Sequence, residues 1–468
     1  MAVNALLAFD HDHQIIQASL DVIFNTHRPE TRQKNLAGEL AYGACRQMIT
    51  LDYLIKKHSH RNMRHIDPVV RQILRIGLYQ MIYLSGTPDF AAVNEAVDQA
   101  KKCSGRGADK FVNALLRSVQ RDIEGPINQT DQNRLRAILW LDQHTGCQFK
   151  SDFLPDPAKN PDKFFSLAYA HPLWLIERWR KRYDQEKVRN LCLTHNARPP
   201  LTLRINSLQV RPAEYAEKLA RANIRAITKD QAIQLIDRTS PEQLPGYNQG
   251  WFTVQDVTAM KAVNILNPHP GDNVLDLCAA PGGKTTQLAE SMNNTGHIVA
   301  CDVNDQKLAR IRENCRRLGI SIVQTNLAQD LPAGDDQTGL FDAVLVDAPC
   351  SNTGVMARRA EVRHRLKPIH LNRLADLQIQ LLNQAANLVR KGGRILYSTC
   401  SIEPAENELL VQKFLQSNDS FKLVSEKIYF PEIQKISEYD APASLSDPQK
   451  PHYQLWQDGG YTALLYQG

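Results

Sequence analysis

No stretch of about 18 residues is apolar and free of charge, so there is no membrane span to read. The opening residues lack a basic start followed by an apolar run, and Asp10 and His11 lie among them. A secretory leader is therefore not expected. The nine cysteines are an odd number. None stand as Cys-x-x-Cys, and no Cys/His cluster has zinc-ligand spacing, so no metal is expected. Scattered thiols without a leader point to free cysteines in a reducing cytoplasm. There is no internal repeat or low-complexity tract. Charge of one sign is also scarce: 56 basic against 50 acidic residues give +6. That balance permits a nucleic-acid partner without requiring one.

What remains is a soluble composition, 43% hydrophobic and 23% charged, in a chain of 468 residues. That is too long for one ordinary domain and suggests roughly two to four. The first third, 1–145, reads as a compact helical domain. Val70, Ile73, Leu74, Leu78, Met81 and Ile82 form one helical stripe, and Asp67-Pro68 is a good start for it. Further helices are predicted over Ala91–Lys102 and Lys110–Arg121. Residues 146–165 are polar and proline-bearing and read as a linker. A small α+β subdomain follows over 165–258. Within it, Leu201–Asn206 alternates like a strand, Pro212–Ala222 reads as a helix, and Ile224–Ile236 returns to strand composition. Over 259–468, short apolar runs alternate with amphipathic helices. The runs are Asn273–Leu277, His297–Asp302, Ser321–Thr325, Ala343–Val346 and Arg394–Ser398. This is the rhythm of a Rossmann-like α/β domain with a mainly parallel sheet.

The strongest local signal runs from Val274 through Cys278, Ala279, Ala280, Pro281, Gly282, Gly283 and Lys284 to Thr286. An apolar strand enters a glycine turn, and a helix starts at once. Ligands of open α/β sheets bind at such strand ends, and glycine lets backbone N–H groups approach them. Gly-Lys-Thr at 283–285 invites a phosphate-loop reading, but that motif needs glycine where Cys278 stands. A dinucleotide loop needs Gly-x-Gly-x-x-Gly, which is also missing. Adenosine with a methionine carboxylate fits the turn better. Asp302, at the next strand end, suits ribose hydroxyls, and the alternative is a helix cap.

Two further strand ends carry Asp347-Ala348-Pro349-Cys350 and Ser398-Thr399-Cys400. A lone cysteine there is usually structural, but two beside an aspartate point to chemistry. Carbon 5 of cytosine is a poor nucleophile. A thiolate adding to carbon 6 makes carbon 5 electron-rich, so that it can attack a sulfonium methyl. An acid at ring nitrogen 3 eases that addition, a role for Asp347 if its site holds a proton on it. Two cysteines allow attack and release to be divided between them.

Asp347–Ser351 together with Ser398–Ser401 resembles the RNA 5-methylcytosine methyltransferases, and Cys278–Lys284 is similar to their cofactor motif. The resemblance implies S-adenosylmethionine as cofactor, Cys400 as nucleophile and Cys350 as the residue that helps release the product. It also assigns Asp347, together with the loop and Asp302, to the cofactor site. Leu201–Asn206, Phe252–Asp256, Gly392-Gly393-Arg394 and Asp458–Tyr461 extend it. Glu39–Gly43, Ile73–Gly77, Val93–Val97 and Phe111–Arg117 are similar to the NusB-like, RNA-binding domain of the ribosomal RNA small-subunit methyltransferase B family (RsmB/Sun). The small subdomain is then expected to recognise RNA. The family's acidic residue at the third strand end is displaced here: Asn326 is followed by Leu327 and Ala328. The nearest carboxylate, Asp330, takes its place in the cofactor set. Arg358, Arg359, Arg363 and Arg365 read either as contacts to RNA phosphates or as a solvated helix face. The implied partner is small-subunit (16S) ribosomal RNA in the cytoplasm, with the target base unpaired or flipped out. Transfer RNA methylation and non-catalytic RNA binding are the rival readings.

Overall fold

A computed structural model describes residues 1–12, 15–84, 86–128, 132–331, 339–435 and 454–468. The chain forms two compact units. One comprises Met1–Arg198 with Met356–Leu366, the other Pro199–Val355 with Lys367–Gly468. Among the described residues no helix is long and apolar enough to cross a membrane, and no group of three or more His, Cys, Asp or Glu could hold a metal ion.

The first unit is mainly helical: α1 (Ala2–Asp12), α2 (Ile16–His27), α3 (Thr31–Ser59), α4 (Pro68–Tyr83), α5 (Asp89–Cys103) and α6 (Ala108–Asp122). The Asp67 carboxylate caps α4 by accepting from the N–H groups of Val69 (2.9 Å) and Val70 (3.1 Å). Pro68 follows at the position where no N–H is needed. The expected apolar stripe is buried, and α4 packs against α3, α5 and α6. Truncating Leu74 within it to alanine would cost roughly 2–5 kcal/mol. Gly43 permits the α3–α4 crossing, since a Cβ there would lie 2.0 Å from the Tyr79 ring.

The stretch read as a linker is structured. Strands β1 (Ile123–Ile127), β2 (Ile138–Trp140) and β3 (Gly146–Phe149) form an antiparallel sheet with β3 in the middle. Helices α7 (Pro161–Ala168), α8 (Leu173–Arg180) and α9 (Gln185–Asn196) follow. The polar composition hides six buried side chains, Cys147, Phe149, Phe153, Leu154, Phe164 and Phe165, and their burial fixes the segment.

Residues 356–366 also pack within this unit. Arg363 is 2% exposed and donates to the carbonyls of Arg46 (2.7 Å) and His195 (2.6 Å) and to Asn196 Oδ1 (2.6 Å). It is neither a phosphate contact nor part of a solvated face, whereas Arg359 and Arg365 are exposed.

The second unit opens with an antiparallel sheet in the order β5-β6-β4-β7, built from β4 (Thr202–Ile205), β5 (Ala226–Lys229), β6 (Ala232–Leu235) and β7 (Phe252–Val254). Helix α10 (Pro212–Arg221) covers it through Tyr215 and Leu219, over Leu203, Ile205, Ile233 and Phe252. The larger sheet follows: α11 (Val257–Leu266), β8 (Asn273–Asp276), α12 (Gly283–Ser291), β9 (His297–Asp302), α13 (Asp305–Leu318), β10 (Val323–Leu327), β11 (Phe341–Asp347), α14 (Pro368–Leu388), β12 (Val389–Thr399), α15 (Glu408–Gln416), β13 (Phe421–Tyr429), β14 (Glu432–Lys435), β15 (Gln454–Gln457) and β16 (Gly460–Gln467). Strand order in its seven-stranded sheet is β10-β9-β8-β11-β12-β16-β13. The first five strands are parallel; β16 is antiparallel to both β12 and β13. Chain order reverses between β8 and β11, so a crevice opens at the carboxyl ends of those strands. Asp276, Asp302, Asp347 and Thr399 end their strands along this one edge.

Candidate active site

The loop after β8 is held from both sides. Gly282 has φ +99°, a backbone conformation that favours glycine, and precedes α12 directly. Asp302 Oδ2 accepts from the Ala280 N–H at 3.0 Å, while its Oδ1 accepts from the Val303 N–H (2.7 Å) and Lys307 Nζ (2.9 Å). Asp302 therefore steadies the loop rather than capping α13, whose cap is Asn304. From the small sheet, buried Arg204 donates to the Gly283 carbonyl (2.6 Å) and Thr286 Oγ1 (2.9 Å) and pairs with Glu290 (2.7 Å). The first turn of α12 is thus tied to β4.

Acceptors crowd this edge. Asp276 is buried, and Thr285 Oγ1 donates to its Oδ2 at 2.7 Å. Its Oδ1 has no partner among the described residues. Burial pushes Asp276 up to about 7. Burial first, then the carboxylates of Asp276, Asp302 and Asp330, push the Cys301 thiol up to about 12. Asp330 is exposed on the turn after β10, where Leu327 pairs with Asp302. An adenosyl–methionine ligand presents ribose hydroxyls and an ammonium group, all donors. An unpartnered buried carboxylate oxygen and a rim of acceptors fit it. Cys278–Lys284, Asp276, Asp302 and Asp330 would hold such a group.

The neighbouring strand ends carry Asp347 and the two cysteines. Parallel pairing places Asp347 beside Ser398. Ser398 Oγ donates to Asp347 Oδ1 at 2.8 Å, and Lys284 Nζ reaches Asp347 Oδ2 at 2.6 Å. Both partners of Asp347 are donors. Cys350 Sγ and Cys400 Sγ are 2.9 Å apart, both are free thiols, and the Cys400 N–H points at Cys350 Sγ (3.3 Å). Cys400 Sγ also donates to Asn352 Oδ1 at 3.3 Å. Asn352 reaches it from the left-handed region, φ 61°, and its amide donates to the Cys350 carbonyl at 2.8 Å. The hydrogen bond with Cys400 and then burial push the Cys350 thiol well above its ordinary value. One sulfur thus keeps its proton beside the other. A backbone seam locks the two loops: Gly354 N–H donates to the Cys400 carbonyl (3.0 Å) and Gly459 N–H to the Gly354 carbonyl (2.8 Å). A Cβ on Gly354 would lie 2.6 Å from Gly459, so the seam needs glycine.

Cys350, Cys400, Asp347 and Lys284 come together, and the loop meets Asp302; Asp330 stands apart at the rim. Sequence reasoning gave no role to the side chains of Asp276, Asn352 and Ser398. For Asp276 a signal existed, a carboxylate closing an apolar strand.

Comparison with known proteins fits this geometry. Residues 263–465 match the family described as 16S rRNA methyltransferase RsmB/F, residues 1–121 the NusB family, and residues 171–240 the RsmF/B-like ferredoxin-like domain. The chain is 32% identical over 429 residues to the probable ribosomal RNA small subunit methyltransferase B of Bacillus subtilis, covering 90% of this chain and 89% of that protein. It is 34% identical over 411 residues to the protein of the same description from Synechocystis, covering 86% and 85%. The crystal structure of the protein PH0851 superposes with a TM-score of 0.73 at 25% identity, covering 99% of this chain and 97% of that one.

Proposed function

The chain belongs to the RsmB/F family of S-adenosylmethionine-dependent methyltransferases of small-subunit ribosomal RNA, and we propose that it methylates carbon 5 of a cytosine in 16S ribosomal RNA through a covalent bond to Cys400. The observation that carries this reading is the 2.9 Å approach of two free cysteines beside the Asp347–Lys284 pair, at the carboxyl edge of the sheet.

S-adenosylmethionine, when bound at the Cys278–Lys284 loop, supplies an electrophilic methyl group. The protein makes the base nucleophilic. Cys400 loses its thiol proton to water and adds as the thiolate to carbon 6, the 5,6 double bond opens, and electron density moves towards carbon 5 and ring nitrogen 3. Asp347, when it holds a proton, would donate to that nitrogen, and charged Lys284 beside it supplies positive potential. After transfer the carbon 5 proton passes to water acting as base, its electron pair re-forms the 5,6 double bond, and Cys400 leaves carbon 6 as a thiolate. Cys350, held as a thiol 2.9 Å from Cys400, assists this release by hydrogen bonding to the leaving sulfur. The target base must leave its stack to reach two strand ends, so an unpaired or flipped cytosine is required.

The test is direct. Purified protein, 16S ribosomal RNA and methyl-labelled cofactor are incubated, and the RNA is digested to nucleosides. Label in 5-methylcytidine is expected. Label confined to another nucleoside would refute the chemistry, and label accepted only by transfer RNA would refute the substrate.

A further inference from the structure

Beneath the two cysteines lies a carboxylate with no cationic partner among the described residues. Glu406 is fully buried on the turn Pro404–Glu406, between β12 and α15. Its Oε1 accepts from the Ser351 N–H (2.8 Å) and Gln378 Nε2 (3.0 Å). Its Oε2 accepts from the hydroxyls of Ser351 (2.5 Å) and Ser401 (2.6 Å). Ser351 follows Cys350 and Ser401 follows Cys400. Four donors on two oxygens satisfy an ionised carboxylate completely. Thr353 Oγ1 lies 3.3 Å from Ser351 Oγ and 3.1 Å from Ser401 Oγ, closing a ring of hydroxyls. The turn grips the strand as well: Tyr397 Oη donates to the Glu406 carbonyl (2.7 Å), Thr399 Oγ1 to Asn407 Oδ1 (2.7 Å), and Asn407 Nδ2 to the Ser401 carbonyl (3.0 Å).

We propose that Glu406 is a positioning residue that joins the two cysteine-bearing loops through Ser351 and Ser401, so that one buried carboxylate sets the spacing of Cys350 and Cys400. This rests on the covalent reading above. The argument is one of cost. A buried carboxylate without a cation loses hydration, and here burial raises Glu406 above the ordinary carboxylate value while the hydrogen bonds from Ser351, Ser401 and Gln378 oppose that rise. A core serving stability alone would do as well with apolar side chains at 351, 401 and 406. The arrangement gains something those lack, which is a fixed relation between two loops 50 residues apart in the chain. It also bears on protonation: after the bond to Cys400 and burial, the charges on Cys400 and Glu406 push the Cys350 thiol up. Glu406 thereby favours Cys350 as a thiol beside the attacking sulfur.

The experiment uses the full chain, S-adenosylmethionine and a small-subunit ribosomal RNA transcript bearing 5-fluorocytidine. Fluorine at carbon 5 blocks proton loss and traps the Cys400 adduct, which is scored by denaturing electrophoresis. Glu406→Gln keeps the size, and the serine hydroxyls can turn to accept from its amide. The variant is expected to bind the cofactor normally but to trap roughly tenfold more slowly. With ordinary RNA, its turnover profile should move to lower pH by about one unit, because Cys350 loses a neighbouring negative charge. The double variant S351A/S401A keeps the charge, so it should slow trapping without moving the profile. It also carries the test should Glu406→Gln not fold. Normal trapping by either folded variant, or an unmoved pH profile in Glu406→Gln, would overturn the proposal. An unsubstituted protein that forms no adduct would overturn the covalent reading, and this one with it.

Discussion

Lys284 Nζ lies 2.6 Å from Asp347 Oδ2, joining the first turn of α12 to the strand end that leads to Cys350. Burial works against the ammonium, but the Asp347 carboxylate outweighs it and holds Lys284 above its ordinary 10.5. A raised lysine stabilises the fold below 10.5, and the gain fades only as pH rises through its higher folded value. No alkaline loss of activity below about pH 10 is therefore expected from this pair. Lys284→Met should cost roughly 1–3 kcal/mol in stability and should lower kcat for methylation by about a hundredfold. Melting curves and single-turnover rates check both, and unchanged rates would remove Lys284 from the reaction.

The two cysteines should fail differently. Cys400→Ala is expected to lose methylation and to form no adduct, since the covalent route itself is gone. Cys350→Ala should attack and transfer the methyl group, then stall as protein joined to methylated RNA, visible on a denaturing gel. Asp347→Ala should fail before the adduct forms. An adduct trapped by Cys400→Ala and none by Cys350→Ala would exchange the roles.

Asp276 gives the free protein a pH signature. Its rise from 3.8 to about 7 means that the folded state keeps a proton the unfolded state has lost. Stability should therefore fall as pH climbs from about 4 to 7 and stay level above, by about 4 kcal/mol at most. Asp276→Asn keeps the acceptor for Thr285 and should flatten that decline. Calorimetric melts of both proteins from pH 4 to 8 would show parallel curves if Asp276 were not the cause.

The loop glycines should separate folding from binding. A Cβ on Gly283 would meet nothing nearer than Gln255 at 3.9 Å, so Gly283→Val should fold yet lose the cofactor. Gly282→Ala instead meets Ile311 at 3.3 Å from a positive φ and should cost about 1–2 kcal/mol in stability. Normal cofactor affinity in Gly283→Val, measured by calorimetry, would refute the loop assignment.

Much of this site could be read in the chain because its chemistry sits at strand ends. Apolar runs of strand length announce β8, β9, β11 and β12, and the odd residues at their ends stand out against that background. Asp67-Pro68 likewise announced α4, because a cap and its helix are neighbours in sequence. Pairings between distant residues leave no local trace. Nothing near Glu406 signals Ser351, and nothing near Arg204 signals Glu290. Cys147 and Phe149 lie in a proline-bearing stretch whose strand character comes from Ile123–Ile127 and Ile138–Trp140. The arginines after Gly354 looked alike in sequence, and only burial separates Arg363 from Arg359 and Arg365.

Arg363 also bears on the order of synthesis. The carbonyls of Arg46 and His195 and the amide oxygen of Asn196 receive their donor from a residue made more than 160 positions after the last of them. Domains usually fold as they emerge, amino-terminal first. This helical unit emerges before the donor to two of its buried carbonyls and to the partly buried Asn196 amide has been made. It reaches its final packing only after the loop that follows β8, and Cys350 itself, have left the ribosome.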